Sequence, residues 1–274
     1  MTALPQVAAQ AVSFSVREPH LQQILQRQLS LPFIEVMADN YLSLRGPHYH
    51  RLCQLAERYP VVLHCVGLSV GSGGAADDYL TKLAIMADEL NAIAISDHLS
   101  VSQLAEGDSH DLLPLCYQRD LLPALQHSIE RLQHRLPLPL ILENVSRYLS
   151  YRDDNIGEGE LLAELHRRTG IGLLLDINNL YVSAHNLQCP VAELLAKLPL
   201  TAVSYCHLAG HQPQGELLLD HHGSQVSEPV WQLYQQLLAQ MGPRPTIIEW
   251  DNHLPPLDTL LGEVARARRY QEQL

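Results

Sequence analysis

The sequence predicts an α/β fold, a single parallel (β/α)8 barrel of the TIM type, on three observations. Short apolar, β-branched runs recur eight times. Amphipathic stretches lie between and after them, and the runs are nearly continuous in apolar character, as strands buried on both faces are. The runs are AVSFSV (11–16), FIEVM (33–37), VVLHCV (61–66), AIAIS (92–96), LPLILE (138–143), IGLLLD (171–176), AVSYCH (202–207) and TIIEW (246–250). A doubly wound open sheet is the alternative arrangement of the same units.

The helices follow from apolar residues at three and four residue spacing in HYHRLCQLAERY, DYLTKLAIMADEL, DLLPALQHSIERL, EGELLAELHRR and VAELLAKL. In SEPVWQLYQQLLAQMG, Ser227 suits the N-cap, Glu228 and Pro229 the first turn, and Gly242 the exit. LDTLLGEVARARRYQEQL closes the chain as the eighth helix. The Pro-rich pieces LPLPL, GPRP and LPPL fall just before a strand or helix, where proline is tolerated. With no internal repeat, low-complexity segment or linker, residues 1–274 are expected to form one domain.

Composition narrows the partners. A formal charge of -12 without any basic run speaks against nucleic acid, because phosphate binding draws on clustered Lys and Arg. The opening MTALPQVAAQAV lacks the basic start and apolar core of a signal peptide, and no run of about 18 apolar residues appears, so no membrane association and a soluble cytoplasmic protein are expected. The five cysteines (Cys53, Cys65, Cys116, Cys189, Cys206) are odd in number, widely spaced and without a CxxC pair, which favours buried small apolar residues over a disulfide framework. Fifteen histidines exceed what an average soluble composition supplies.

In such a barrel the active site lies at the C-terminal ends of the strands. Those ends offer Glu35 and Asp39, His64, Asp97 and His98, Glu143 and Asn144, Asp176 with Asn178 and Asn179, His207 and His211, and Glu249 with Asp251. Every run but the first ends in a metal-capable side chain. LLLDHHGSQV (217–226), in the loop after the seventh strand, adds Asp220 and His222, which point the same way if the segment is extended, with His221 opposite. Taken singly, His64 reads as a hydrogen-bonded core histidine, His98 as a polar residue entering a helix, and LLLDHHGSQV as a surface turn. Glu143 and Glu249 are different, since a carboxylate ending a buried run must be paired or coordinated. His20, His48, His50, His110, His127, His134, His166 and His253 fall where no partner converges on them, while His185, His211 and His221 stay open.

Together, four carboxylates (Glu143, Asp176, Asp220, Glu249) at one barrel mouth would repel one another, with Arg147 the one nearby cation. Metal cations resolve that conflict, and about eight mixed oxygen and nitrogen ligands exceed what one tetrahedral zinc uses. Two or three ions are therefore expected.

The series LHCVGLSVGS, ISDHLS, LLPL, ILENVSRYLSY, GLLLDINNLYVSAHN, CHLAGH, LLLDHHGSQV and IIEWDN, in that order from about Val12 to Arg266, resembles the multinuclear non-heme iron-dependent oxidative enzymes, of which the methanobactin-type peptide maturation enzymes are best known. The resemblance implies a xylose-isomerase-like barrel with two or three iron ions (Fe2+/Fe3+). It implies O2-dependent oxidation of cysteines in a ribosomally made precursor peptide to heterocycle or thioamide products, and a small partner protein that presents the leader peptide. Carried over by residue, the implied metal positions are His64, His98, Glu143, Asp176, Asn179, His207, Asp220, His222 and Glu249, with Glu143 bridging and Glu143, Asp176 and Glu249 at the catalytic centre. Asn179 stands where the methanobactin branch has histidine, and Asp39 where many relatives have glutamate. A divalent-metal hydrolase or isomerase, like the endonuclease-IV and sugar-isomerase barrels, is the competing enzyme reading; a metal-dependent peptide-binding module is the noncatalytic one.

Overall fold

The computed structural model describes residues 4–43, 45–104 and 107–274 apart from the side chains of Asp108 and His110, so the reading of His110 and the start of MTALPQVAAQAV lie outside the described residues. In chain order the first half comprises β1 (Val12–Val16), α1 (Glu18–Arg27), β2 (Ile34–Met37), α2 (Pro47–Ala56), β3 (Val61–His64), α3 (Asp77–Glu89), β4 (Ala92–His98), β5 (Val101–Leu104), β6 (Gly107–Leu113) and α4 (Leu122–Arg135). The second half comprises β7 (Leu140–Glu143), α5 (Glu158–Thr169), β8 (Gly172–Asp176), α6 (Ile177–Asn186), α7 (Val191–Leu194), β9 (Val203–Leu208), β10 (Gln212–Gln214), β11 (Leu217–Leu219), α8 (Glu228–Met241), β12 (Thr246–Ile248) and α9 (Leu257–Gln271).

Eight strands close a barrel in the order β1-β12-β9-β8-β7-β4-β3-β2. Because β1 pairs in parallel with both β2 and β12, the sheet has no edge, and the open doubly wound alternative is excluded. Eight expected runs supply the eight barrel strands. Each begins one or two residues inside its run or at its first residue, while β4 extends to His98 and β9 to Leu208.

The departures are insertions on the C-terminal side of the strands. β5–β6 and β10–β11 are antiparallel hairpins after β4 and β9 that the apolar pattern does not announce. VAELLAKL gives only the four-residue α7, whereas α6 begins directly at the end of β8. Asp176 starts it: its side-chain carboxylate accepts the Asn179 backbone N–H at 2.6 Å, the bond of an N-cap. α8 opens after Ser227 with proline in its first turn and ends at Gly242 (φ 75°), as its residues predict, although the Ser227 hydroxyl makes no capping bond.

The barrel strands alternate. Outward residues such as Ile34, Val36, Leu63, Ile95, Leu142, Leu175 and Ile248 join the large cluster under the helices. Phe33, Val62, Ala94, Ile141, Leu174, Tyr205 and Ile247 form a separate inner cluster, closed off by Leu4 and Ala11. Two residues further along the same strands stand Glu35, His64, Ser96, Glu143, Asp176, His207 and Glu249, all buried. A strand's period of two thus stacks a polar tier on an apolar floor inside the barrel.

Candidate metal centre

The polar tier resolves into overlapping groups of ligand atoms. His64, His98 and Glu143 form one, Glu143, Asp176, His207 and Glu249 a second, and His222, Glu249 and Asp251 a third; His64, His207 and Glu249 also meet, with all ligand atoms of a group within 4.8 Å of one another. Glu143 belongs to two groups through different oxygens. Its Oε2 lies 3.5 Å from His64 Nε2 and 3.2 Å from His98 Nε2, while its Oε1 lies 3.6 Å from His207 Nδ1. Glu249 Oε2 likewise stands between His207 Nδ1 at 2.9 Å and His222 Nδ1 at 3.3 Å.

The loop after β11 brings in the remaining donors. His222 faces Glu249 and Asp251 with Nδ1 and Asp220 Oδ1 with Nε2, the last at 2.6 Å. Asp220 is held by Ser146 Oγ–H on Oδ2 (2.6 Å) and by Asn178 Nδ2–H on Oδ1 (2.9 Å). The expected extended backbone does not occur here, because His222 has φ 47°; the turn itself aims Asp220 and His222 at one another. His221 turns away and lies against His253, ring centroids 5.3 Å apart. His253, read as partnerless, therefore has a partner.

Electrostatics here is a contest between burial and neighbouring charge. Burial, aided by the neighbouring His98 and His207 and only partly offset by Glu143 and Glu249, takes His64 down to about 3. Burial also opposes charge on His98, but Glu143 and Asp97 outweigh it and leave the imidazole raised to about 9. His207, against Glu35, Glu249 and Glu143, and His222, against Asp220 and Glu249, end well above the ordinary histidine range despite the same burial. Asp176 is pushed up to about 7, chiefly by burial. For Glu249 burial is overcome by His207 and His222, which hold it well below the usual carboxylate range.

A metal fits this donor set. Among the described residues, Glu143 Oε2, Asp176 Oδ2, Asn179 Oδ1, His98 Nδ1, His207 Nδ1 and His222 Nε2 are buried without an aligned hydrogen bond. Orphaned polar atoms at this density are costly unless something coordinates them, and imidazole with carboxylate suits zinc, manganese and iron-type ions.

All nine sequence-expected positions lie around the barrel mouth. Asp220 falls outside the ligand groups, and Asn179 directs its Nδ2–H to the Asn144 carbonyl at 3.0 Å and toward Glu143 Oε1 at 3.5 Å. Asp39 accepts from Tyr79 and from the Val66 N–H, beside the centre. His211 bonds Asn178 and stacks on Tyr181, and His185 faces the Glu216 carbonyl. His20 and His166 are satisfied by the carbonyls of Pro255 and Ile171.

The expectation for Arg147 fails. Arg147 pairs with Asp154 at 2.8 Å and covers the Tyr117 ring, so it does not neutralise the mouth. The cation there is Arg17, buried just after β1, which pairs with Asp251 and lies 3.4 Å from Glu249 Oε1. Continued alternation through Ser13, Ser15 and Arg17 was the signal that this strand also ends in a functional group. All five cysteines are free, but only Cys65 and Cys206 are buried; Cys53, Cys116 and Cys189 are half-buried. No helix among the described residues is long and apolar enough to cross a membrane.

Comparison with known proteins places this geometry in a family. A UPF0276 protein of Chromobacterium violaceum is 38% identical over 269 residues, covering 98% of this chain and 96% of its own. A UPF0276 protein of Caulobacter vibrioides is 42% identical over 257 residues, 92% of each chain. Among solved structures, a D-tagatose 3-epimerase-like protein superposes with TM-score 0.60 at 13% identity, over 96% of this chain and 97% of its own. A xylose isomerase domain containing protein from Salmonella typhimurium does so with TM-score 0.59 at 17% identity, over 97% and 96%. At those identities the likeness is one of fold, the xylose-isomerase-like TIM barrel. The family described as RiPP precursor modification enzyme MbnB/TglH/ChrH matches residues 11–272, and the chain belongs to it.

Proposed function

We propose that this protein is a multinuclear non-heme iron enzyme that uses O2 to oxidise cysteine residues of a ribosomally synthesised precursor peptide in the cytoplasm, with a small partner protein presenting the leader. The observation that carries the reading is the sharing of Glu143 and Glu249 between ligand groups, in a chain of the RiPP precursor modification family. A carboxylate with one oxygen in each of two groups suits adjacent ions better than a single one.

On this reading His64, His98 and Glu143 would hold one ion, Glu143, Asp176, His207 and Glu249 a second, and His222 with Asp220 a third. Iron supplies thiolate binding and one-electron chemistry with O2. The protein residues orient and insulate. Ser146 and Asn178 fix the Asp220 carboxylate, Asp97 accepts the Leu68 N–H while standing against His98, and Arg17 balances Asp251 and Glu249 at the rim. The apolar floor from Phe33 to Ile247 closes the barrel below the centre to water.

Protein purified anaerobically from iron-supplemented cells is expected to carry more than one iron per chain. A coexpressed cysteine-containing precursor should lose hydrogen mass only when O2 and intact enzyme are both present. One zinc per chain with no iron, and activity retained, would return the protein to the hydrolase or isomerase reading.

A further inference from the structure

Beneath the centre, five buried groups form one chain of contacts. His207 Nε2 lies 2.9 Å from Glu35 Oε2, and the Tyr205 hydroxyl reaches the same oxygen at 2.8 Å. The Tyr205 oxygen is also 2.7 Å from Ser96 Oγ, which stands 2.9 Å from His64 Nδ1. Glu35, His64, Ser96, Tyr205 and His207 are each at most 1% exposed.

Proton counting gives the chain a direction. A carboxylate only accepts, whereas each hydroxyl has one proton to give. His207 Nε2–H and Tyr205 O–H therefore both donate to Glu35 Oε2, while Glu35 Oε1 has no hydrogen-bond partner among the described residues. With its proton committed, the Tyr205 oxygen accepts from Ser96. Ser96 Oγ, its own proton committed, accepts from His64 Nδ1–H. Every donor runs toward Glu35, which leaves His64 Nε2 with its lone pair and makes Nδ1 the His207 nitrogen that gives up a proton to a cation; these are the two atoms that face Glu143 and Glu249.

We propose that Glu35 is a positioning residue that sets the ring tautomers of two separate metal-facing histidines at once, His207 directly and His64 through Tyr205 and Ser96. The proposal rests on the metal reading of the site but not on the identity of the metal or of the peptide. It makes a remote prediction: Tyr205 touches neither His64 nitrogen, yet removing its hydroxyl should reverse the His64 ring. In Tyr205→Phe the Ser96 proton loses its acceptor and turns to His64 Nδ1, which transfers the imidazole proton to Nε2 and removes the lone pair a cation needs. Such partners of metal-bound histidine are worth about 10- to 100-fold in metal affinity.

The first measurement is made on metal-free protein, using ring nitrogen chemical shifts from 15N-histidine labelling. His64 should carry its proton on Nδ1 in the wild type and shift toward Nε2 in Tyr205→Phe. Ser96→Ala, a smaller change that leaves the barrel floor intact, should lose the preference for Nδ1 as well. The second is anaerobic Fe2+ titration, in which Tyr205→Phe and Ser96→Ala each weaken binding about 10- to 100-fold and the double variant is no weaker than the single Ser96→Ala. A wild-type His64 protonated on Nε2, or one unmoved by Tyr205→Phe, overturns the inference. Wild-type protein that binds Fe2+ while both variants bind as tightly overturns the inference alone. Wild-type protein that takes up none of Fe2+, Mn2+ and Zn2+ overturns the metal reading and the inference with it.

Discussion

Glu143 and Glu249 differ from the other carboxylates at the barrel mouth in lying between groups, and substitution should show it. Glu143→Gln keeps the shape but gives up one anionic oxygen, so loss of more than one ion's occupancy is expected, by elemental analysis, with the far-ultraviolet circular dichroism of the barrel unchanged. Glu249→Gln should behave alike. Normal metal content in either variant removes that residue from the centre. In the loop after β11, Asp220→Ala and His222→Ala should lower occupancy and abolish turnover, whereas His221→Ala, whose ring lies against His253, should keep most activity. Equal loss at all three would make the loop a folding element. Metal affinity should also rise with pH: a proton held on His98 up to about 9 and one on Asp176 up to about 7 must leave before a cation enters, so titrations at pH 6 and 8 should differ by roughly tenfold or more per displaced proton. A flat profile would mean that these groups are not displaced. The ligand types were legible because buried charge at strand ends demands a partner. Arg17 was not, because an arginine after an apolar run reads as the surface start of a helix.

At the scale of elements, the barrel strands were legible and the insertions were not, for one reason. Strands buried on both faces carry a run that periodicity detects, but the short hairpins β5–β6 and β10–β11 bury little; Gln212, Pro213 and Gln214 are all exposed. α6 was obscured because its first turn, Ile177 to Asn179, carries polar residues for the centre where an amphipathic pattern would show its register. The loop that delivers His222 depends on close backbone packing rather than on pattern. The Gly210 carbonyl accepts the His222 N–H at 2.9 Å, and a Cβ on Gly210 would stand 2.7 Å from the Gln225 carbonyl oxygen. Gly210→Ala must therefore push the 222–225 segment outward. Overpacking of this kind costs about 1–3 kcal/mol. A lower melting temperature together with selective loss of the His222 site is expected; a variant with full metal content would show that the segment shifts without moving His222.

Over the whole molecule, an apolar lower half of the barrel supports an upper half in which acidic groups converge under a net charge of -12. Arg17 offsets part of that charge, but among the described residues buried polar groups stay unpaired in the middle of the structure. Cations that bind only the folded chain add stability by mass action, about 2.7 kcal/mol at a hundredfold excess over the dissociation constant. For a chain of this size each kcal/mol moves the melting temperature by about 2–4 °C, so anaerobic addition of Fe2+ to metal-free protein should raise it by roughly 5–10 °C. The same addition to Glu143→Gln should raise it by much less, since a carboxylate common to two groups supports more than one ion. A shift that is equal in wild type and Glu143→Gln would locate the stabilising ion away from the barrel mouth.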